Sequence, residues 1–277
     1  MESTSTSEHP NYFNDEQQES PEYAALRRNP EYVAMNARLV ERIPEQARDI
    51  VDIGCGDGAV SETLLDARPG SSLVGVDPSP ALLAAAEARL GSRGRFLLGD
   101  ASSVAALLSP CSCDVAVFAN CIHLVEDLPD ALEAVRRVLR PRGSVVINSA
   151  FYAGAESPED LALYTDLIAA ARRKAKSEGL VLERRPVGRP LSLRRKTSEY
   201  VSALEQAGFA DITCEEVPFT LGRPFLTALC STPMFASVAL AGVERERAAQ
   251  LMVEALETVP DPVHVTRRCA YLTARCP

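Results

Sequence analysis

The segment best suited to holding a ligand is Val51-Asp-Ile-Gly-Cys-Gly-Asp-Gly58. Gly54, Gly56 and Gly58 permit a tight turn and let a ligand approach the backbone closely, at the mouth of a helix N-terminus. Cys55 sits between the first two glycines and shares whatever environment they create. Gly54, Gly56 and Ala59 also satisfy the spacing of a dinucleotide fingerprint, so a nicotinamide cofactor stays open on this loop alone. Two more carboxylates follow at predicted strand ends. Asp77 can accept both hydroxyls of a ribose, and Asp100, in Leu97-Leu-Gly-Asp-Ala101, is placed to reach an adenine edge.

Adenosine occurs in both candidate cofactor classes, so Asp77 and Asp100 do not separate them. Asp52 says more. It lies two residues before the first glycine, where dinucleotide sites usually place a small neutral residue beside a pyrophosphate. A carboxylate there repels phosphate and attracts an ammonium group through charge-assisted hydrogen bonds, directly or through water. A ligand with adenosine at one end and a cationic amino acid at the other is S-adenosylmethionine. The eight cysteines contain no CxxC pair, and Cys111-Ser-Cys113 is too tight for usual zinc spacing, so no metal is expected and buried reduced thiols are.

Such residues need a scaffold that gathers strand ends. Asp49–Ile53, Ser72–Val76, Arg95–Leu98, Asp114–Ala119 and Gly143–Ser149 read as strands. Helices are predicted between them at Ala59–Ala67, Pro80–Leu90, Ala101–Leu108 and Leu128–Leu139. Strict alternation implies parallel βαβ units with right-handed crossovers, hence an α/β, Rossmann-like doubly wound sheet that binds ligands beyond its carboxyl ends. Ahead of it, Pro21–Arg28 and Pro30–Ile43 read as short helices, the second capped by Asn29. Behind it come a long helix at Pro158–Ser177, a helix at Ser198–Ala207 capped by Thr197, and strand-like runs at Ala210–Val217 and His264–Ala274. Arg223–Pro262 reads as an inserted helical cap, with a helix at Arg245–Leu256.

Composition bounds the function. The 277 residues are 46% hydrophobic and 24% charged, enough apolar material for a sizeable core. A net charge of −9 argues against nucleic acid as a partner. No apolar run reaches membrane-spanning length and the start has no apolar signal region, so a cytoplasmic protein without membrane association is expected.

Asp52-Ile-Gly-Cys-Gly-Asp-Gly58, Gly75-Val-Asp77-Pro-Ser79, Gly99-Asp100-Ala101 and Arg137-Val-Leu-Arg-Pro-Arg-Gly143 resemble the successive motifs of class I S-adenosylmethionine-dependent methyltransferases. The ubiquinone and menaquinone type that modifies small molecules is the best match. The resemblance is dense over about Ala47–Ala150 and looser over Ser198–Val217. It implies a seven-stranded sheet, five parallel strands then an antiparallel pair, with helical lid insertions. The implied division is a lead with lid helices over 1–46 and a methyltransferase domain over 47–277, with cap insertions at about 152–196 and 223–262. It also implies that Gly54 and Gly56 lie against the methionine part, oriented by Asp52. Asp77 would bind the ribose hydroxyls with Pro78 beside the adenine. Asp100 would accept from the adenine amino group, the Ala101 N–H would donate, and Asn120 would border the transferring methyl. Arg142 stands where the family more often has glycine, on the side away from the ligand.

The acceptor is less defined. Ala119-Asn-Cys-Ile-His123 is not the Asn-Pro-Pro-Tyr motif of enzymes that methylate amino groups of bases or glutamine, and Pro110-Cys111 precedes the fourth strand rather than following it. His123 is the polar candidate for a general base, although packing accounts for a histidine here equally well. Tyr12-Phe13, Tyr23, Tyr32 and the segments inserted after the fifth and sixth strands are expected to build the lid, with Tyr12 and Tyr152 toward the substrate. Arg172–Lys196 holds ten Arg or Lys against Glu178 and Glu183. A solvated face explains that, and an anionic or carrier-bound acceptor is the sharper alternative. The expected activity is methyl transfer to oxygen, nitrogen or carbon of a small molecule, in specialised metabolism or natural-product biosynthesis. The alternatives are a methyltransferase fold using its cofactor for a non-methylating reaction such as cyclisation, and an NAD-dependent oxidoreductase.

Overall fold

The computed structural model describes residues 25–183 and 194–277. Helix α1 (Pro30–Val40) leads, with Asn29 Oδ1 accepting from the Glu31 N–H at 3.0 Å. There follow β1 (Asp49–Ile53), α2 (Ala59–Ala67), β2 (Ser72–Asp77), α3 (Pro80–Leu90), β3 (Arg95–Leu98), α4 (Val104–Leu107), β4 (Cys113–Ala119), α5 (Leu128–Val138) and β5 (Leu139–Ser149). The second half adds α6 (Pro158–Ser177), α7 (Thr197–Gln206), β6 (Ala210–Gly222), α8 (Arg223–Ser231), α9 (Pro233–Ala239), α10 (Arg245–Glu257) and β7 (His264–Arg275). The sheet order is β3-β2-β1-β4-β5-β7-β6, with β7 antiparallel to both neighbours and the first five strands parallel.

Period-2 alternation in the central strands feeds two cores, one on each face of the sheet. Ile50, Val115, Val117 and Val146 join α1, α2, α3, α6, α8 and α10. Val51, Ile53, Ala116, Phe118, Val145 and Ile147 join α4, α5 and α7. Asp114 is structural: its carboxylate accepts from the N–H groups of Arg48 and Asp49 and from Arg140.

Several element ends differ from the sequence expectation, each for a local reason. Helix α4 begins only at Val104. Asp100 Oδ1 accepts from the Ser103 N–H while Ser103 Oγ accepts from the Asp100 N–H, a closed turn that uses the groups a first helical turn would need. Helix α7 starts at Thr197 rather than after it. Lys196 is the cap residue, Glu199 reaches back to its N–H at 2.7 Å, and the Thr197 hydroxyl goes to Glu216. Strand β5 runs back to Leu139 across an irregular register, with Arg142 at φ +65°. Strand β6 continues past Pro218 to Gly222, because an edge strand can do without that residue's missing N–H. The insertion before β7 holds three helices where one was expected. Its α10 packs against α6 and its α8 against α10, with Leu226, Leu229, Leu251 and Met252 buried in the same core.

Four residues of the basic run have partners within the chain. Arg172 donates to the Ala239 carbonyl, Lys174 pairs with Glu254, Arg194 with Glu156, and Arg195 donates to the Glu126 carbonyl. No helix among the described residues is long and apolar enough to cross a membrane.

Candidate functional site

A cavity of about 570 Å³ opens where the chain leaves β1, β2, β3 and β4. In the order 3-2-1-4-5, the crossovers reverse direction between β1 and β4, and the crevice this creates is where doubly wound sheets bind ligands. Asp52, Gly54, Cys55, Gly56, Asp77, Pro78, Asp100, Ala101 and Asn120 all line it. Residues spread over some seventy positions are thus brought together by four parallel strand ends.

Asp52 is fully buried. One carboxylate oxygen, Oδ2, accepts from the Ser61 hydroxyl at 2.6 Å, and the other, Oδ1, has no hydrogen-bond partner among the described residues. Burial raises its pKa to about 6; the Ser61 bond opposes the rise and the Asp77 charge adds to it. Gly54 follows at φ +70°, and a Cβ there would meet Cys121 Sγ at 2.8 Å. Asp77 links the first two loops: Oδ2 accepts from the Gly56 N–H at 2.8 Å and Oδ1 from the Ser79 N–H at 3.0 Å. Burial pushes the Cys55 thiol well up, and the Asp52 and Asp77 charges push the same way, so it stays neutral and is no nucleophile.

Asn120 takes left-handed backbone at φ +55°, and its amide is engaged at both ends. Oδ1 accepts from the Ala150 N–H at 2.9 Å, and Nδ2 donates to the Tyr32 hydroxyl at 2.8 Å. Its side chain therefore ties β4 to β5 and fixes Tyr32 of α1 at the cavity wall.

His123 is not part of the lining. It lies in a 3-10 turn, Ile122–Leu124, where residues three apart share a face; Cys121 and Leu124 reach the cavity while Ile122 and His123 are buried in the core. Its Nδ1 is 3.4 Å from Ser149 Oγ and its ring lies against Phe151, centroids 4.7 Å apart. Burial lowers its pKa to about 3, with the Arg194 charge acting in the same direction. Tyr152, expected toward the substrate, is fully buried in the core shared with α5 and α7 and also lies outside the lining. Three residues past β5, its side chain joins the core instead of the sheet's edge. Tyr12 lies outside the described residues. No described residue of 152–196 or 223–262 lines the cavity, so neither insertion covers it there.

Sequence reasoning missed Arg27, Asn36, Asp57 and the run Leu124–Asp127, all in the lining. Arg27 Nη2 lies 3.3 Å from Asp57 Oδ2, which Arg89 also reaches at 3.1 Å. Asp57 stood inside the glycine motif and could have been flagged; Arg27 and Asn36 arrive from a separate part of the chain with no motif to mark them. Among the described residues, no three His, Cys, Asp or Glu side chains are grouped to hold a metal ion.

The unpartnered Asp52 Oδ1 tests which cofactor fits. A buried carboxylate oxygen beside the glycine loop is a poor neighbour for a pyrophosphate and a good one for an ammonium group.

Residues 51–147 match the family described as Methyltransferase domain. The trans-aconitate 2-methyltransferase of Delftia acidovorans is 43% identical over 68 residues, 24% of this chain and 25% of that protein. The ubiquinone biosynthesis O-methyltransferase of Nitrosospira multiformis is 30% identical over 123 residues, 43% of this chain and 47% of that protein. The chain thus spans between a quarter and about half the length of these curated relatives. Among solved structures, the YcgJ protein from Bacillus subtilis superposes with a TM-score of 0.55 at 14% identity, covering 88% of this chain and 98% of that one. At that identity the likeness concerns the fold alone.

Proposed function

We propose that this chain, a class I S-adenosylmethionine-dependent methyltransferase, transfers a methyl group to oxygen, nitrogen or carbon of a small-molecule acceptor. The observation that carries this is Asp52: a buried carboxylate with one oxygen unpartnered among the described residues, on the wall of a cavity floored by a glycine loop. In this reading Asp52 holds the cofactor's ammonium, and Gly54 and Gly56 leave room for its methionine part. Asp77, already fixed by two backbone N–H groups, accepts from the ribose hydroxyls. Pro78, Asp100 and Ala101 receive the adenine.

When bound, S-adenosylmethionine supplies an electrophilic sulfonium methyl group. The protein's part is then in-line positioning and exclusion of water, for which Tyr32, Leu124 and Val125 offer cavity wall. His123, buried away from the lining, is not needed as a base. The acceptor we favour is neutral or cationic. The lining carries Asp52, Asp57, Asp77, Asp100, Glu126 and Asp127, with Arg27 its one cation among the described residues. An anionic acceptor such as the one named for the trans-aconitate relative suits that lining less well. Eight free cysteines suit a reducing compartment and support the cytoplasm as the place of action.

Calorimetric titration with S-adenosylmethionine, S-adenosylhomocysteine and NAD tests the proposal, with Asp77→Ala as control. Micromolar binding of the first two, lost in the variant and absent with NAD, is expected; NAD binding alone would overturn it. Acceptor screening with methyl-labelled cofactor follows. Turnover of an acceptor without label transfer would instead favour a non-methylating use of the cofactor.

A further inference from the structure

We infer that Asn36 sets acceptor specificity by donating to a carbonyl or hydroxyl oxygen of a neutral acceptor; this rests on the S-adenosylmethionine reading above. Two hydrogen-bond relays fix which end of each amide faces the cavity. In the first, the Ala150 N–H donates to Asn120 Oδ1, so Asn120 Nδ2 is the end that reaches Tyr32. In the second, the Asn120 N–H donates to Asn148 Oδ1 at 2.8 Å, so Asn148 turns its Nδ2 to Asn36, at 3.2 Å. An amide nitrogen only donates, and Asn36 therefore answers with Oδ1. Its Nδ2 is left over. No described residue accepts from that nitrogen, and it is not sealed into the core, so its N–H groups open onto the cavity that Asn36 lines.

Position puts this donor on the acceptor side. Asn36 is tied to β5 through the buried Asn148, and β5 lies across β4 from the strand that carries the glycine loop. Tyr32 and Asn36 stand one helical turn apart on α1 and share the face that meets the cavity. The helix itself is pinned there, because the Tyr271 hydroxyl donates to the Met35 carbonyl at 2.8 Å. Chemistry then narrows the class. A neutral amide donor requires a lone pair on its partner, which a carbonyl or hydroxyl oxygen has and an ammonium group lacks. An acceptor without that oxygen leaves the donor unmet once water is excluded, so the site discriminates by penalty as well as by attraction.

The test is calorimetry on the full chain, first with S-adenosylhomocysteine and then, on the loaded protein, with three phenols of matched shape. These are meta-hydroxyacetophenone, meta-ethylphenol and meta-(aminoethyl)phenol, which differ in bearing a carbonyl, a methylene or an ammonium group. Wild type should prefer the carbonyl probe to the other two by about fivefold or more, the scale of one hydrogen bond. Asn36→Leu should erase that preference. Asn36→Asp, which can still accept from Asn148, should reverse it in favour of the ammonium probe. Both variants should bind S-adenosylhomocysteine within about twofold of wild type, since the lost bond is to the acceptor. Melting curves check that each variant folds, and if one does not, the other decides. No preference in wild type, or an unchanged preference in a folded variant, overturns the inference. Equal weakening of S-adenosylhomocysteine and all three phenols would make Asn36 a prop for α1 and overturns it too. Wild type that does not bind S-adenosylhomocysteine overturns the cofactor reading itself, and the inference with it.

Discussion

Asp52 and His123 are both buried titratable side chains at the carboxyl edge of the sheet, one near the end of β1 and one in the turn after β4, and both are pushed toward their neutral forms. Their surroundings separate them. Asp52 lines the cavity with an oxygen that no described residue satisfies. His123 lies against Phe151 and beside the Ser149 hydroxyl, and is not in the lining of that cavity. Burial alone therefore does not mark a functional group. What marks it is burial combined with an unmet bonding requirement on a surface a ligand can reach. Asp52 is a group the fold holds at a cost, and His123 is a group the fold has already accommodated.

The largest expected effect concerns His123. Its pKa is about 3 in the fold and near 6.5 unfolded, so the unfolded chain takes the proton first and stability falls as pH drops from 6.5 to 3, by about 5 kcal/mol in all. Urea unfolding at pH 7 and pH 4 should show wild type losing about 3 kcal/mol more than His123→Gln. Parallel losses would mean the ring is not buried as described.

Asp52 has the opposite sign. Its carboxyl titrates near 6 in the fold and near 3.8 unfolded, so the folded chain keeps its proton longer. The penalty is absent below pH 3.8 and complete above pH 6, about 3 kcal/mol. Asp52→Asn should accordingly stabilise the ligand-free protein at pH 7 by about that amount while weakening S-adenosylmethionine binding about tenfold or more. A variant that loses both stability and affinity would make Asp52 structural and erase the contrast.

A smaller effect sharpens it. If the ammonium needs the ionised carboxylate, wild-type affinity for S-adenosylhomocysteine should fall about tenfold for each pH unit below 6, and Asp52→Asn should lack that slope. Smallest is the effect of His123→Gln on turnover at neutral pH, expected below about tenfold, whereas loss of a general base typically costs about 10²- to 10⁴-fold. A drop in that higher range would restore His123 to the chemistry.

Much of the fold was legible because its signals are local. Ile50, Val51, Val115 and Val117 carry strand alternation, and the stripe Leu128, Leu132, Val135 marks α5; all of them are buried. The glycine loop, Asp77 and Asp100 were legible too, since a strand end followed by a turn and a helix is a contiguous pattern. Boundaries set by contacts distant in sequence were not. Glu216 draws the Thr197 hydroxyl away from capping α7, and β7 pairing carries β6 through Pro218. The orientation of His123 and Tyr152 was equally hidden, because both depend on which face of a turn meets the core.

The sequence by itself determined the alternation of elements, the glycine loop and the acidic residues at the strand ends, because each follows from residue type and short-range spacing. Only the tertiary structure decided which of those groups are satisfied. Ser61 occupies one Asp52 oxygen and leaves the other bare, Asn120 is committed to Tyr32 and Ala150, and Arg27 is brought onto the loop after β1. Hydrogen bonds and ion pairs of that kind join residues remote in sequence, and their partners exist only once the sheet has gathered its strand ends.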